Sequence, residues 1–166
     1  MTHPACHGSL WAAAALAAAL AAPAAAQSQA HSHDGAAATA HALKLNQGRK
    51  WATDAPLREG MTRIRALVAP RLDDAHAGRL TPAQYRELAA RIEGEVGTIV
   101  AECKLEPQAD AMLHLVIADL LGGAEAMAGK QAGQRPGQGM AKVAQALDGY
   151  GRYFDHPGFR PLTQSH

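Results

Sequence analysis

Cysteine and aromatic residues are scarce in this 166-residue chain, and each shortage limits the fold. Aromatic residues make up 4% of the sequence, and β-branched residues are also few. Alanine is abundant and loses no side-chain entropy in a helix, so the composition favours helices over strands. Of the two cysteines, Cys6 lies before the apolar run of the predicted leader, so processing would remove Cys6 with the leader. Cys103 then has no intramolecular disulfide partner, which excludes a fold stabilised by disulfides.

The sequence also lacks an excess of charge and the common catalytic motifs. Lys and Arg number 16 against 15 Asp and Glu, and no basic stripe of the kind that binds nucleic acid is present. There is no Gly-rich phosphate loop, no His-Glu-x-x-His, no Gly-x-Ser-x-Gly and no Cys-x-x-Cys. We therefore predict one domain that is not an enzyme and does not bind nucleic acid.

Residues 1–26 have the pattern of a signal peptide. Leu10 to Ala22 is an apolar run of 13 residues, Pro23 breaks it, and Ala24 to Ala26 offer small residues for cleavage. The run is too short for a membrane span, which needs about 20 apolar residues. Residues 1–8 contain no Lys or Arg, which departs from the usual signal. A retained amphiphilic anchor and residence in the cytosol are the alternatives to the predicted periplasmic or secreted location, which includes no stable membrane span after cleavage.

Residues 27–43 form a polar segment without hydrophobic periodicity, which predicts a disordered tail. Its histidines are candidate metal ligands: His31, His33 and His41. Imidazoles in such a tail suit copper, nickel or zinc. The alternative is that the histidines are only compositional, because a flexible tail has no neighbouring groups to orient its ligands.

The cleavage position changes this metal hypothesis. Ser28-Gln29-Ala30 also satisfies the small-residue rule, and cleavage after Ala30 would leave a chain that begins His31-Ser32-His33. A free α-amine, two backbone nitrogens and the third-residue imidazole make a square-planar site for Cu(II) or Ni(II). Cleavage after Ala26 removes this site because His31 becomes the fifth residue.

Four later segments have the apolar periodicity of amphipathic helices. The first runs from about Asp54 to Leu72, with Asp54 as N-cap and Trp51 folded onto the first turns. The second opens at the capping box Thr81 to Gln84. The third begins near Pro107, and Gly122-Gly123 is expected to weaken its last turns. The predicted apolar stripes are Leu57, Met61, Ile64 and Val68; Leu88, Ile92, Val96, Ile99 and Cys103; and Leu113, Val116, Ile117, Leu120 and Leu121.

The fourth predicted helix follows a Gly- and Gln-rich loop from Gly129 to Gly139 and ends at Pro157-Gly158. Its stripe is Met140, Val143, Leu147, Tyr150 and Phe154. Helices joined mostly by short loops favour antiparallel neighbours. The predicted fold is therefore all-α, an antiparallel up-down-up-down four-helix bundle over residues 44–160, followed by a C-terminal tail at residues 161–166.

Met61 and His156 are the candidate cofactor ligands of this bundle. An exported four-helix bundle of this size resembles cytochrome c′ and the soluble b-type cytochromes. In the b-type members a Met early in the first helix and a His near the end of the last helix hold the haem iron. The resemblance implies the same roles for Met61 and His156. The sequence departs from it, since Cys-x-x-Cys-His is missing, Pro157 disfavours helical geometry at His156, and Met61 also fits its core stripe.

Other polar residues have two interpretations each. Cys103 and His114, on consecutive helices, could form a soft-metal or redox pair, whereas packing roles for both are the alternative. His76 follows Asp73 and Asp74 in what we interpret as a solvated turn, with weak metal character. The charged residues Arg58, Glu59, Arg63 and Arg65 lie mostly off the first apolar stripe. They form either a solvated face or a docking surface for an acidic partner.

The segment from Leu45 to Arg65 (LNQGRKWATDAPLREGMTRIR) is similar to a block in small, functionally undescribed exported proteins of Gram-negative bacteria. This resemblance implies the compartment and no activity. Three hypotheses follow: a non-enzymatic interaction or accessory factor that binds an envelope protein, a copper- or transition-metal-binding protein that uses the His tail, and a bundle that binds haem non-covalently.

Overall fold

The structure, a computed structural model, describes residues 42–162, and their regular structure is helical. Helix α1 spans Ala55–Val68 and continues through a 3-10 turn, Ala69–Arg71, into the short α2, Leu72–His76. Three long helices follow: α3 at Pro82–Glu102, α4 at Pro107–Met127 and α5 at Pro136–Tyr153. Besides these helices, the described residues contain two isolated β-bridges and no strand. The predicted all-α class is confirmed.

The helix starts follow from capping chemistry. The Asp54 carboxylate accepts the backbone N–H of Leu57 and caps α1. Thr81 and Gln84 form the reciprocal capping box that the sequence predicts for α3. A proline stands at the first or second position of all four long helices, where its missing N–H costs no helical hydrogen bond.

Several predicted helix limits are wrong, among them the end of α5, which lies at Tyr153 and not at Pro157-Gly158. The α-helix that was expected to reach Leu72 stops at Val68, because Pro70 cannot donate an N–H and the chain tightens into a 3-10 turn. Helix α4 does not weaken at Gly122-Gly123 but continues to Met127. Helix α5 begins at Pro136, inside the segment expected to be a loop.

The core lies between the four long helices. Helix α1 packs on α3, α3 on α4 and α4 on α5, and the α4–α5 contact is the most extensive. The predicted stripes supply the interior, apart from partly buried Cys103 and Leu121. Within residues 42–162 no polar or charged residue is buried. Among the helices of that same segment, none has the length and apolarity that crossing a bilayer requires.

The chain before α1 is attached to the end of α5. The Trp51 N–H donates to the Tyr153 carbonyl at 2.9 Å, and the Asp155 N–H donates to the Trp51 carbonyl at 2.8 Å. The Trp51 indole is buried, and its N–H donates to the Lys44 carbonyl at 2.7 Å. Leu43 and Leu162, just outside the expected limits of the bundle, also pack against the core.

Candidate functional site

The segment after α5, residues 154–162, forms an ordered loop that we call the C-terminal loop. His156 to Phe159 make a turn in which the Phe159 N–H donates to the His156 carbonyl at 3.1 Å. Gly158 has a φ of +81° at the third position, and Pro157 stands at the second. This combination is typical of a type II turn, which requires a positive φ at its third residue. The turn places His156 outside α5, so the prediction that it lies at the end of a helix is wrong.

An aromatic cluster anchors this turn to the core. The ring of fully buried Tyr150 stacks on Phe154 at a centroid distance of 5.2 Å and meets the edge of Phe159 at 5.0 Å. The His156 ring lies 5.0 Å from that of Phe159. The Tyr150 hydroxyl is 3.0 Å from Nδ1 of His156. Offset and edge-to-face ring pairs of this kind favour one relative orientation, which fixes the loop.

The electrostatics assign the proton in the Tyr150–His156 hydrogen bond. Burial raises the pKa of Tyr150, so the phenol stays protonated and can donate. Burial, and after it the positive charge of Arg58, lowers the pKa of His156. The neutral imidazole then accepts at Nδ1. Both shifts favour the same hydrogen bond near neutral pH.

The C-terminal loop is also fastened to α1 and to the segment before it. The Thr53 hydroxyl donates to the Asp155 carbonyl at 2.6 Å. Nε of Arg65 donates to the Arg160 carbonyl at 2.7 Å. At the far end, the Leu162 N–H donates to the Asp148 carboxylate at 2.6 Å. The loop is therefore held at its beginning, middle and end.

Two arginines on α1 are unlike the other basic residues. All 16 Lys and Arg lie within the described part of the chain, and Arg58 and Arg65 are partly buried while the others are exposed. Nη1 of Arg58 donates to the carbonyl and hydroxyl oxygens of Thr53 at 2.7 and 3.0 Å. Among residues 42–162 no carboxylate forms an ion pair with either guanidinium, whereas exposed Arg63 pairs with Glu95 at 2.7 Å.

Two adjacent depressions lie between α1 and the C-terminal loop, and both are lined by His156 and Pro157. The first is completed by Ala52, Thr53, Arg58 and Asp155. The second is completed by Thr62, Arg65, Ala66, Gly158, Phe159 and Arg160. We call this continuous surface the α1–loop groove. Its lining includes Arg58, Arg65 and Arg160, the carboxylate residue Asp155, and the apolar residues Pro157 and Phe159.

The two predicted haem ligands lie in different environments. Met61 is fully enclosed in the core beside other apolar side chains, and Nδ1 of His156 is engaged by Tyr150. Haem binding by this pair would require the packed interior to open. The residues as arranged do not fit the group, and the haem hypothesis stays a prediction that this geometry does not support.

The structure of residues 42–162 does not bring the other predicted metal ligands together. His31, His33 and His41 lie outside those residues, as do the predicted signal peptide and cleavage sites. Within residues 42–162, no group of three or more His, Cys, Asp and Glu side chains is arranged to hold a metal ion. His76 is the last residue of α2 and not part of a turn, and Asp74 pairs with Arg79 at 2.7 Å.

Cys103 and His114 have ordinary surroundings. Cys103 is the C-cap of α3, and its thiol is partly buried. Burial, and after it the charges of Asp54 and Asp110, raises the pKa of this thiol. The thiol therefore stays protonated and is a weak nucleophile. His114 is exposed, so the expectation of a partly buried histidine is wrong. Its Nδ1 lies 2.9 Å from the carbonyl oxygen of Asp110, one turn earlier in the same helix.

Sequence reasoning missed the special position of Arg58 and Arg65. Each directly follows a core residue of α1, Leu57 and Ile64, and the two arginines are seven residues apart. That spacing places both on one edge of the apolar stripe, which was the available signal. Comparison of the chain with protein-family models, with curated proteins and with solved structures gave no match.

Proposed function

We propose that the protein is a non-enzymatic periplasmic interaction or accessory factor that contacts an envelope protein through the α1–loop groove. The observation that carries this proposal is the way the C-terminal loop is held. An exposed turn at Pro157-Gly158 is fixed by buried Tyr150 and by hydrogen bonds from Thr53 and Arg65. Binding residues are disproportionately found on loops that a rigid scaffold positions.

The compartment in this proposal is supported by the leader pattern in residues 1–26 and by the resemblance of the Leu45–Arg65 block to exported proteins. The proposed arrangement of the scaffold is an antiparallel up-down-up-down bundle. It is supported by the short connection Cys103–Glu106 between α3 and α4, and by the packing of consecutive helices against one another. Such a scaffold keeps the ends of α1 and α5 and the loop in fixed register.

The test is site-specific photo-cross-linking in the exporting host. A photoreactive residue at Thr62, which is exposed and lines the groove, is compared with one at Gln145, which is exposed on α5. We expect one defined cross-linked envelope protein from position 62, identified by mass spectrometry, and none from position 145. Absence of a cross-link from position 62 in the folded, exported protein would contradict the proposal.

A further inference from the structure

The α1–loop groove contains two guanidinium groups, those of Arg58 and Arg65, that form no ion pair with a carboxylate among residues 42–162. Carbonyl and hydroxyl oxygens hold Arg58 and Arg65, but these carry only partial charges. In their contacts with residues 42–162, Arg58 donates through Nη1 and Arg65 through Nε, so these contacts leave further N–H donors on each planar guanidinium. A partly buried cation is less well hydrated than an exposed one, which strengthens its attraction for an anionic group.

The spacing of the charges defines the size of the ligand. Arg58 and Arg65 are two helical turns apart, which is about 10 Å along the axis of α1. Arg160 lines the same depression as Arg65, and Pro157 and Phe159 provide apolar surface toward that end. Asp155 lines the first depression, near Arg58, and is exposed. A single small oxyanion would occupy one depression and leave the other empty.

We propose that the groove binds an acidic segment of a partner protein, with one carboxylate at Arg58, a second at Arg65 and Arg160, and the intervening chain over Pro157. This inference rests on the proposed function and names the chemistry of the partner. Two acidic residues three positions apart in a polyproline II chain lie on the same side of that chain and about 9 Å apart, which is close to the spacing of Arg58 and Arg65 along α1. A guanidinium binds a carboxylate through paired N–H donors, which adds direction to the charge attraction.

The experiment is an NMR titration of the full exported chain with a synthetic peptide that contains Glu-Pro-Ala-Glu. The same peptide with both Glu replaced by Gln is the control ligand. We expect the acidic peptide to shift the backbone signals of α1 and of residues 155–160, and the Gln peptide to leave them unchanged. No binding of the acidic peptide would overturn the inference.

Matched variants distinguish peptide binding at the groove from non-specific attraction to positive charge elsewhere on the protein. Arg58→Gln with Arg65→Gln removes two charges from the groove, and Arg86→Gln with Arg91→Gln removes two exposed charges from α3. We expect the Kd of the acidic peptide to rise by about tenfold or more in the first variant and by less than about twofold in the second. Equal weakening in both would show diffuse attraction and overturn the inference.

The variant Arg160→Gln tests the same site if the protein with Arg58→Gln and Arg65→Gln does not fold. Within the described residues Arg160 forms a hydrogen bond through its carbonyl and not through its exposed side chain, so Arg160→Gln leaves the loop contacts intact. We expect this change also to weaken peptide binding. Unchanged affinity in folded Arg160→Gln would contradict the assignment of the second carboxylate.

Two further arms identify other occupants of the groove. If inorganic phosphate produces the same shifts and competes with the peptide, the groove is a small-oxyanion site and the proposed acidic segment is wrong. If the same signals shift with protein concentration alone, a second copy occupies the groove and the inference is also wrong. In either case a cross-link from position 62 to a different envelope protein would still support the proposed function, so the two failures are distinguishable.

Discussion

Two partly buried charged residues, Asp54 before α1 and Arg58 within it, differ in how many of their polar atoms the fold uses. Both oxygens of the Asp54 carboxylate accept backbone N–H groups, from Leu57 at 3.0 Å and from Lys104 at 2.6 Å. This carboxylate therefore serves the fold, because it caps α1 and fixes the start of the α3–α4 connection. Arg58 is held on one side only, by Thr53. Asp54 is therefore a structural charge, whereas Arg58 is the charge that we propose contacts the partner.

At the residue scale, the cap at Asp54 follows from the sequence and its second contact does not. An Asp that precedes a helix beginning with Ala-Pro indicates an N-cap. The hydrogen bond to Lys104 joins positions 50 residues apart, which no local pattern specifies. The same limit applies to Arg58, whose local pattern predicts only an edge of the helix.

His156 provides the residue-scale prediction. Burial and then Arg58 lower its pKa below the ordinary 6.5. Below pH 6.5 the unfolded chain binds the proton more readily than the folded protein, so the free energy of unfolding decreases as the pH falls through this window. We expect Arg58→Gln to raise the pKa of His156 without restoring 6.5, because burial remains. Tyr150 contacts the imidazole, and the other titratable or charged groups that line the depressions beside it are Arg58, Asp155, Arg65 and Arg160.

The measurement is an NMR titration of the His156 ring protons in the wild type, in Arg58→Gln and in Arg86→Gln. The last variant removes an exposed charge from α3 and serves as the control. We expect no change of the His156 pKa in that control. A wild-type His156 that titrates at 6.5 or above would show that the ring is not desolvated in solution.

At the element scale, capping residues explain the helix starts that the sequence predicts correctly, and glycine explains the errors in α4 and α5. The starts of α3 and α4 follow from Thr81 and Pro107, which act within their own turns. Gly123 and Gly139, by contrast, disfavour a helix by about 1 kcal/mol each relative to Ala and therefore indicated a loop or a weak end. In the structure both are buried where α4 crosses α5. Close packing of two backbones offsets the low propensity, and this requires knowledge of the partner helix.

The crossing of α4 and α5 provides the element-scale prediction. A Cβ at Gly123 would lie 2.6 Å from Cγ2 of Val143 and 2.8 Å from the carbonyl oxygen of Gly139. Because a backbone atom cannot move without its helix, we expect Gly123→Ala to lower the free energy of unfolding by about 1–3 kcal/mol. The measurement is equilibrium denaturation in urea, with the slope checked for two-state behaviour.

The control for this change is Gly97→Ala on the exposed face of α3. A Cβ there would meet no atom within 4 Å. We expect this variant to gain up to about 1 kcal/mol from the higher helix propensity of Ala. If Gly123→Ala were as stable as Gly97→Ala, the two helices would not be in backbone contact in solution.

At the scale of the whole molecule, the helical class is predictable and the candidate site is not. Apolar residues spaced three and four apart show which face of each helix is buried, and the buried residues of the core confirm those faces. The same spacing says nothing about the exposed surface. The α1–loop groove is built by contacts between Thr53 and Asp155 and between Arg65 and Arg160, which are 102 and 95 positions apart. Such contacts depend on how the helices pack, and one sequence contains no direct sign of them.

The copper hypothesis concerns the N-terminal segment of the sequence, outside the described residues, and has its own test. Cleavage after Ala30 would expose His31-Ser32-His33, and the third-residue imidazole completes a square-planar Cu(II) site. We expect a mature chain that begins at His31 to gain a single Cu(II) ion in its intact mass when purified from the exporting host. His33→Ala should remove this binding and His41→Ala should retain it, because only His33 is the third residue. A chain that begins at His31 and binds no copper, or binds it equally well in His33→Ala, would exclude this site and leave the groove as the remaining candidate for function.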